Sequence, residues 1–430
     1  MSRLNDRLRE RYEAGNPIRL ALVGAGQMGK GMICQMERMM KGVRTVAVAD
    51  IMLDRVVSAY EAAGVSADEV VGAKDLATAE KALQQGKRVA TADAVLLTKL
   101  APVEVVVEAS GVPDVGAKVA YHAILNKKHV VMLNVETDIT VGYLLRRMAD
   151  NAGVVYTVSA GDEPGATKEL YDFATAMGFK IVAAGKGKNN PLDREATPEK
   201  LAAEAASKKM SAKMLCTFVD GTKTMVEMTA LANATGLLPD VRGMHGPFAT
   251  VQDLPVLFSL KSQGGILGHE GVVDYALGSV APGVFVVVTT DQETVIEDLR
   301  YLSVGSGPNW VFYRPYHLAN LETPLSAAQA VLLGETTIAT VRKPVAETIT
   351  IAKKDLKAGE KLDGIGQYTF YASIERADIA AKERLLPLGL AQGAVLKVDV
   401  AKDQPITYDQ VELDRSSTIV YLRALQDQMD

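Results

Sequence analysis

The stretch Leu20-Ala21-Leu22-Val23-Gly24-Ala25-Gly26-Gln27-Met28-Gly29 restricts the fold more than any other part of the chain. An apolar run there ends in Gly-x-Gly-x-x-Gly and passes directly into a helical pattern. A strand that turns into a helix on such glycines suits a dinucleotide. The first glycine makes the turn, the second admits a pyrophosphate to the backbone, and the third lets helix and strand pack closely. The helix amino terminus adds free N–H groups and a positive partial charge. Thr45-Val46-Ala47-Val48-Ala49-Asp50 reads as the second strand, and its terminal carboxylate falls about twenty residues past the last glycine, where ribose hydroxyls are held. Gly24, Gly26, Gln27, Met28, Gly29 and Asp50 are the expected nucleotide contacts.

The strands and helices that follow decide the class of sheet. Residues 3–14 read as a polar amphipathic helix stopped by Gly15-Asn16-Pro17, and a helix running to about Met40 carries Met28, Met32, Met36, Met39 and Met40 as a packing stripe. Helical stretches fill 53–86, and Arg88-Val89-Ala90-Thr91 is a short strand. The β-branched run from Glu104 to Gly111 has the pattern of a strand buried on both faces, and its Ala109-Ser110-Gly111 end is placed beside the cofactor. A helix over 115–126, a strand over 129–134, a helix over 141–151 and a strand over 153–158 complete the alternation. Together these predict an α/β fold with a doubly wound, Rossmann-type parallel sheet over 1–158.

A chain of 430 residues exceeds one ordinary core, so further domains are expected. Residues 159–341 read as an α+β substrate domain and 342–430 as a small β-rich module. The substrate domain opens with a helix through Met177, then a strand over 179–184 that runs into the basic, glycine-rich Gly185-Lys186-Gly187-Lys188-Asn189-Asn190-Pro191. Thr197 and Pro198 are placed to start a charged helix. A helix over 224–234, the Gly243-Met244-His245-Gly246-Pro247 stretch and the aromatic segment 309–317 suggest loops converging on a pocket. The net charge of -5 gives no general attraction to nucleic acid or to anionic lipid. The 2 cysteines, Cys34 and Cys216, form neither a disulfide framework nor a zinc spacing. With a charged start and no long apolar run, the expectation is a cytoplasmic homo-oligomer without membrane or nucleic-acid partners.

With these pieces in place, the chain resembles the homoserine dehydrogenase-like oxidoreductases, and more closely the 1-deoxy-D-xylulose 5-phosphate reductoisomerase-like enzymes. The resemblance rests on Gly161-Asp162-Glu163-Pro164, the 185–192 stretch, Gly221-Thr222-Lys223-Thr224-Met225-Val226-Glu227-Met228, 243–247 and Arg314-Pro315-Tyr316-His317-Leu318. Residues 345–415 resemble the SAF module of sialic acid synthases and antifreeze proteins, and they carry no cluster of catalytic residue types. The resemblance implies rearrangement of a ketose phosphate and reduction by NAD(P)H. Homoserine dehydrogenases place a catalytic lysine after the asparagine that corresponds to Asn134, and this chain has Val135 there, which argues against homoserine. Reductoisomerases imply NADPH, but a carboxylate at Asp50 repels a 2′-phosphate and leans toward NAD(H); Arg55 is near enough in sequence to restore NADP.

Reductive isomerisation needs fixed cations for an anionic substrate, stabilisation of a developing enolate oxygen, and an aldehyde held for hydride transfer. Lys188 is the leading candidate to act on substrate oxygen, with Lys186 on the same side if the strand persists and Asn189 and Asn190 orienting oxygens. His245 and His317, in glycine, proline or aromatic loops, are acid–base candidates. Asn134, Glu163, Lys223, Arg242 and Arg314 are expected at the substrate, the two arginines as forks for phosphate or carboxylate. Asp162, Glu163 and Glu227 are candidates for a divalent cation, although Asp162 and Glu163 also suit a helix start. His122, His129 and His269 read as structural. Two other functions compete: a simple NAD(P)-dependent dehydrogenase of a hydroxy acid or sugar derivative, and a non-catalytic nucleotide- and sugar-sensing protein.

Overall fold

The computed structural model describes residues 2–429. The chain forms two compact units, Met1–Asp162 with Leu318–Ala339 and Ser416–Asp430, and Glu163–His317 with Thr340–Arg415.

In the first unit, α1 (Ser2–Glu13) precedes β1 (Ile18–Val23), α2 (Gln27–Arg38), β2 (Val43–Ala49) and α3 (Leu53–Ala62). Next come β3 (Val70–Gly72), α4 (Leu76–Gln84), β4 (Arg88–Thr91), α5 (Ala94–Lys99) and β5 (Val105–Glu108). The series closes with α6 (Pro113–Leu125), β6 (His129–Met132), α7 (Val135–Ala152) and β7 (Tyr156–Val158). The seven strands lie in the order β3-β4-β2-β1-β5-β6-β7, and every neighbouring pair is parallel. This is the doubly wound sheet expected, with the chain reversing direction across the sheet between β1 and β5. The short edge strand β3 and the helix α5 lie where only helix, or nothing, was expected. Three residues at a sheet edge leave too little pattern to read.

The helix expected over 141–151 starts six residues earlier, at Val135, because the Asn134 side chain caps it by accepting the Thr137 N–H at 3.3 Å. Of the methionine stripe, Met32 and Met36 are core residues, but Met28 is 43% and Met39 79% exposed, since each faces away from the sheet.

The second unit begins with α8 (Glu163–Ala176) and β8 (Lys180–Lys188). The helices α9 (Ala202–Ser207), α10 (Ala212–Val219) and α11 (Thr222–Thr235) follow, then β9 (Phe248–Ala249), α12 (Leu254–Leu257), β10 (Val272–Gly278), β11 (Val284–Thr289), α13 (Glu293–Tyr301) and β12 (Asn309–Arg314). Its sheet runs β12-β11-β8-β10-β9, with β8 parallel to β10 and antiparallel to β11. The helix expected at Thr197 is a single turn closed by Leu201 N–H on the Thr197 carbonyl at 3.2 Å, and α9 starts at Ala202.

The expected strand over 179–184 persists into the glycine-rich stretch, whose residues 185–188 are the end of β8. A Cβ on Gly185 would collide with the Asp274 carbonyl and one on Gly187 with the Ala281 backbone, so neighbouring backbone covers one face too closely for side chains. The alternating lysines take the other face. Gly-Lys-Gly-Lys is therefore a strand with two different faces.

The remaining elements are shared out between the units. Helix α14 (Ala319–Leu333) belongs to the first, where Ala327 and Ala328 join Leu20, Leu22 and Met32 in the core. In the second lie β13 (Ala346–Ala352), β14 (Phe370–Arg376), α15 (Ala377–Lys382), β15 (Val395–Leu396) and β16 (Val411–Glu412). Helix α16 (Thr418–Gln426) returns to the first unit, where Gln426 accepts the Leu144 N–H at 3.0 Å and donates to the Thr140 carbonyl at 3.1 Å. Three consecutive domains at 1–158, 159–341 and 342–430 are thus replaced by two units that exchange segments. Asn233 shows why 340–415 does not stand apart: its amide on α11 accepts the N–H groups of Val345 and Ala346 at 2.9 Å and donates to the Ala346 carbonyl at 3.1 Å.

Candidate functional site

In the first unit the turn after β1 has the shape a pyrophosphate needs. Gly24 has φ +102°, and a Cβ there would stand 2.6 Å from the Ala109 carbonyl oxygen. A Cβ on Gly29 would collide with the Gly24 carbonyl, whereas one on Gly26 would meet nothing within 4 Å. The first and third glycines are therefore demanded by the protein itself, whereas no neighbouring atom requires the second. Gly26 caps α2 without a side-chain hydrogen bond, which leaves the first N–H groups of the helix for an anion. Asp50 turns back to this loop, accepting Ala25 N–H at 2.8 Å and Met52 N–H at 2.9 Å. Arg55 is exposed on the first turn of α3, and Gly111 has φ +68° with open space where its Cβ would be. These residues fit a dinucleotide.

In the second unit the persistence of β8 puts Lys186 and Lys188 on one face, both buried. Lys186 Nζ lies 2.5 Å from Glu163 Oε1, at the start of α8, and also pairs with Glu227 Oε2 on α11. His317 Nε2 lies 3.4 Å from the same Glu163 oxygen. Burial works against the Lys186 ammonium, but the two carboxylates outweigh it and hold the group charged well above its ordinary range. Glu163, Lys186, Glu227 and His317 are thus one charge cluster, drawn from four separate parts of the sequence. Asp162 is buried at the end of the first of the three segments that make up the first unit, and Lys223 is half-buried on the first turn of α11.

Several expected site residues are engaged elsewhere. Lys188 Nζ donates to the carbonyls of Asn190 at 2.6 Å, Phe218 at 2.8 Å and Pro191 at 3.4 Å, so its three protons face backbone and not a substrate. Burial, then the neighbouring Lys186 charge, lowers its pKa to about 8. Asn190 serves Lys188 through its backbone, and Asn189 is exposed. Asn134, expected at the substrate, spends its amide on the α7 cap and on the Val112 carbonyl at 3.0 Å. Arg242 is paired with Glu375 at 2.5 Å and Glu383 at 2.6 Å, and Arg314 with Glu169 at 3.1 Å while lying over the Tyr316 ring. Both guanidinium forks already hold carboxylates.

His245 is closed on both nitrogens. Nδ1 meets Asp274 Oδ2 at 2.8 Å and Nε2 meets Asp240 Oδ2 at 3.3 Å. The hydrogen bond to Asp274 raises its pKa, partly opposed by burial. His269, read as structural, reaches the same Asp240 at 3.6 Å.

The segment that carried no foreseen chemistry contains a buried cation. Lys353 Nζ, just past the end of β13, meets Asp220 Oδ2 at 2.8 Å, the carbonyls of Ala196 and Gln367 at 3.0 Å and Cys216 Sγ at 3.6 Å. No spacing in the sequence signals it, because its acid lies far away along the chain. Among the described residues, no helix is long and apolar enough to cross a membrane.

The geometry defines a dinucleotide-type turn in one unit and a braced lysine in the other. Residues 161–323 match the family model described as Oxidoreductase DRL, catalytic domain, so the chain carries an oxidoreductase catalytic domain and is an enzyme of that class. No curated protein matches the chain. Among solved structures, similarity extends to a probable dehydrogenase from Thermotoga maritima at 13% identity, covering 75% of this chain and 91% of that one with a TM-score of 0.43. A scyllo-inositol dehydrogenase from Lactobacillus casei with bound NAD(H) and scyllo-inositol matches at 12% identity, covering 76% and 92% with a TM-score of 0.43. A myo-inositol 2-dehydrogenase from Lactobacillus plantarum matches at 12% identity, covering 75% and 91% with a TM-score of 0.39.

Proposed function

We propose that this chain is a nicotinamide-dependent oxidoreductase acting on a small anionic polyol or ketose. Its most concrete activity is reductive isomerisation of 1-deoxy-D-xylulose 5-phosphate to 2-C-methyl-D-erythritol 4-phosphate. The observation that carries the reading is the buried Lys186 cation braced by Glu163 and Glu227. NAD(P)H, when bound, supplies the hydride.

Lys186 stays an ammonium through neutral pH, so its work is electrostatic: a fixed positive charge where an enolate or alkoxide oxygen develops. Glu163, shared by Lys186 and His317, accepts a proton from a substrate hydroxyl, and His317 relays it. The cation role expected of Lys188 passes to Lys186, whose partners are side chains that can exchange for substrate oxygens. His317 takes the acid–base role over His245, because it reaches the Glu163 carboxylate that also pairs with Lys186. A divalent cation has hard oxygen donors in Glu163 and Glu227, and it would have to displace the Lys186 ammonium from them.

Incubation with 1-deoxy-D-xylulose 5-phosphate and NADH or NADPH tests the reading. Turnover, and binding of the phosphonate inhibitor fosmidomycin, are expected. A folded protein that does neither would remove the reductoisomerase assignment. Asp50 favours a second reading, an NAD-dependent dehydrogenase of a hydroxy acid or sugar derivative, because its carboxylate at the end of β2 opposes a 2′-phosphate. The same assay with those substrates and NAD separates the two.

A further inference from the structure

The first unit buries an acid that the proposed chemistry does not use. Glu108 ends β5, the strand beside β1, and is 0% exposed. Its Oε1 accepts the Ser110 N–H at 3.0 Å, which folds the acid back onto the Ala109–Gly111 segment that abuts Gly24. Its Oε2 makes no hydrogen bond. A Cβ built on Gly116 of α6 would stand 3.0 Å from that oxygen and 2.8 Å from Asn134 Nδ2, so the free oxygen faces the starts of α6 and α7.

The ionisable groups around it are mostly acids. Glu136, on the first turn of α7, raises its pKa, and Tyr156 on β7 lies within electrostatic reach while donating to Asp138 at 3.1 Å. Asp114 of α6 is turned away, accepting from Ser417 and Ile419. Burial is the largest influence on Glu108 and raises its pKa to about 7, against the Ser110 hydrogen bond and the nearby Asn134 amide. A carboxyl group poised near neutrality thus sits under the loop beside the dinucleotide turn. Ligands of doubly wound sheets bind at this end of the strands, where the chain reverses direction across the sheet.

We propose that Glu108 is a positioning residue of the cofactor site whose buried negative charge favours the oxidised, cationic nicotinamide ring over the reduced, neutral one. The proposal rests on the nicotinamide reading above. At the effective dielectric of protein interiors, a unit charge on the order of 10 Å from the ring changes the relative affinity of the two forms about tenfold. The sign follows from linkage: the ring cation holds Glu108 ionised, so binding of the oxidised cofactor near neutral pH expels a proton, and binding of the reduced form does not.

Calorimetric titration of the full chain with NAD+ and with NADH, and in parallel with the NADP pair, tests this in buffers of different ionisation enthalpy. The expected ratio of Kd(NADH) to Kd(NAD+) rises about tenfold between about pH 6 and about pH 8, with proton release on NAD+ binding, and both effects vanish in Glu108→Gln. A ratio independent of pH in the unmodified protein overturns the proposal, as does a Glu108→Gln protein that keeps the rise. Proton release by the unmodified chain decides the matter even if the variant does not fold. Failure of either form to bind would refute the nicotinamide reading itself, a result distinct from binding without pH dependence.

Discussion

Replacing Lys186 by Met removes a cation whose side chain is 7% exposed and leaves Glu163 and Glu227, 12% and 1% exposed, facing one another. Methionine keeps the length and the apolar stem, so the loss is one of charge. Breaking a buried ion pair in this way costs about 3–5 kcal/mol, because the carboxylates left behind lack compensation. Two carboxylates in one buried site cannot both stay ionised without penalty, so one of them in the variant binds a proton more readily when folded than when unfolded. The sign is then fixed. The deficit is full at high pH, where both groups are ionised, and shrinks as pH falls toward the unfolded carboxylate range near about 4.3. The protein has 1 tryptophan, and Trp310, fully buried on β12, lies in the same unit as Lys186. Urea unfolding followed by its emission therefore reports this unit selectively. A deficit below about 1 kcal/mol, or one that does not shrink on acidification, would refute the braced-cation account.

Other substitutions probe separate parts of the account. Asp50→Ser is expected to raise the use of NADP(H) relative to NAD(H) in steady-state kinetics, and an unchanged ratio would remove Asp50 from cofactor choice. Gly185→Ala sets a methyl group against the Asp274 carbonyl and is expected to unfold the second unit at markedly lower urea, read by Trp310 emission; near-normal stability would mean that β8 can shift. Gln426→Ala leaves the Leu144 N–H and the Thr140 carbonyl without their partner and is expected to cost about 1–3 kcal/mol, with hydrogen exchange quickening in α7. Unchanged exchange there would detach α16 from the stability of the first unit.

Much of the first unit was legible because its constraints are local. Gly29 answers to Gly24 within the same turn, and β5 and β6 are built on runs of valine. The second unit was harder, since its lysines look alike in sequence. Lys186 and Lys188 are two residues apart on one strand face, yet one meets carboxylates from α8 and α11 and the other meets carbonyls. Only the packing of those helices decides between them. The two arginines expected as anion forks illustrate the same limit: Arg242 finds Glu375 and Glu383 on segments that sequence places in a separate module. Lys353 was missed because neither Asp220 nor Cys216 lies near it along the chain, and a lone lysine before Lys354 reads as surface charge. The exchange of segments between units escaped the reading for a related reason, as α14 and α16 carry nothing that names the sheet they return to.

The central claim, that Lys186 is the fixed cation of a nicotinamide-dependent reaction, is tested most directly by consumption of reduced cofactor. The full chain is mixed with NADH or NADPH and 1-deoxy-D-xylulose 5-phosphate in the presence of a divalent cation, and loss of the reduced-nicotinamide absorbance is followed beside Lys186→Met protein shown to be folded by Trp310 emission. The account predicts turnover by the unmodified chain and a fall of roughly a hundredfold to a thousandfold in the variant, with cofactor affinity retained. Undiminished turnover by folded Lys186→Met, or no consumption of either cofactor by the unmodified chain, would contradict it.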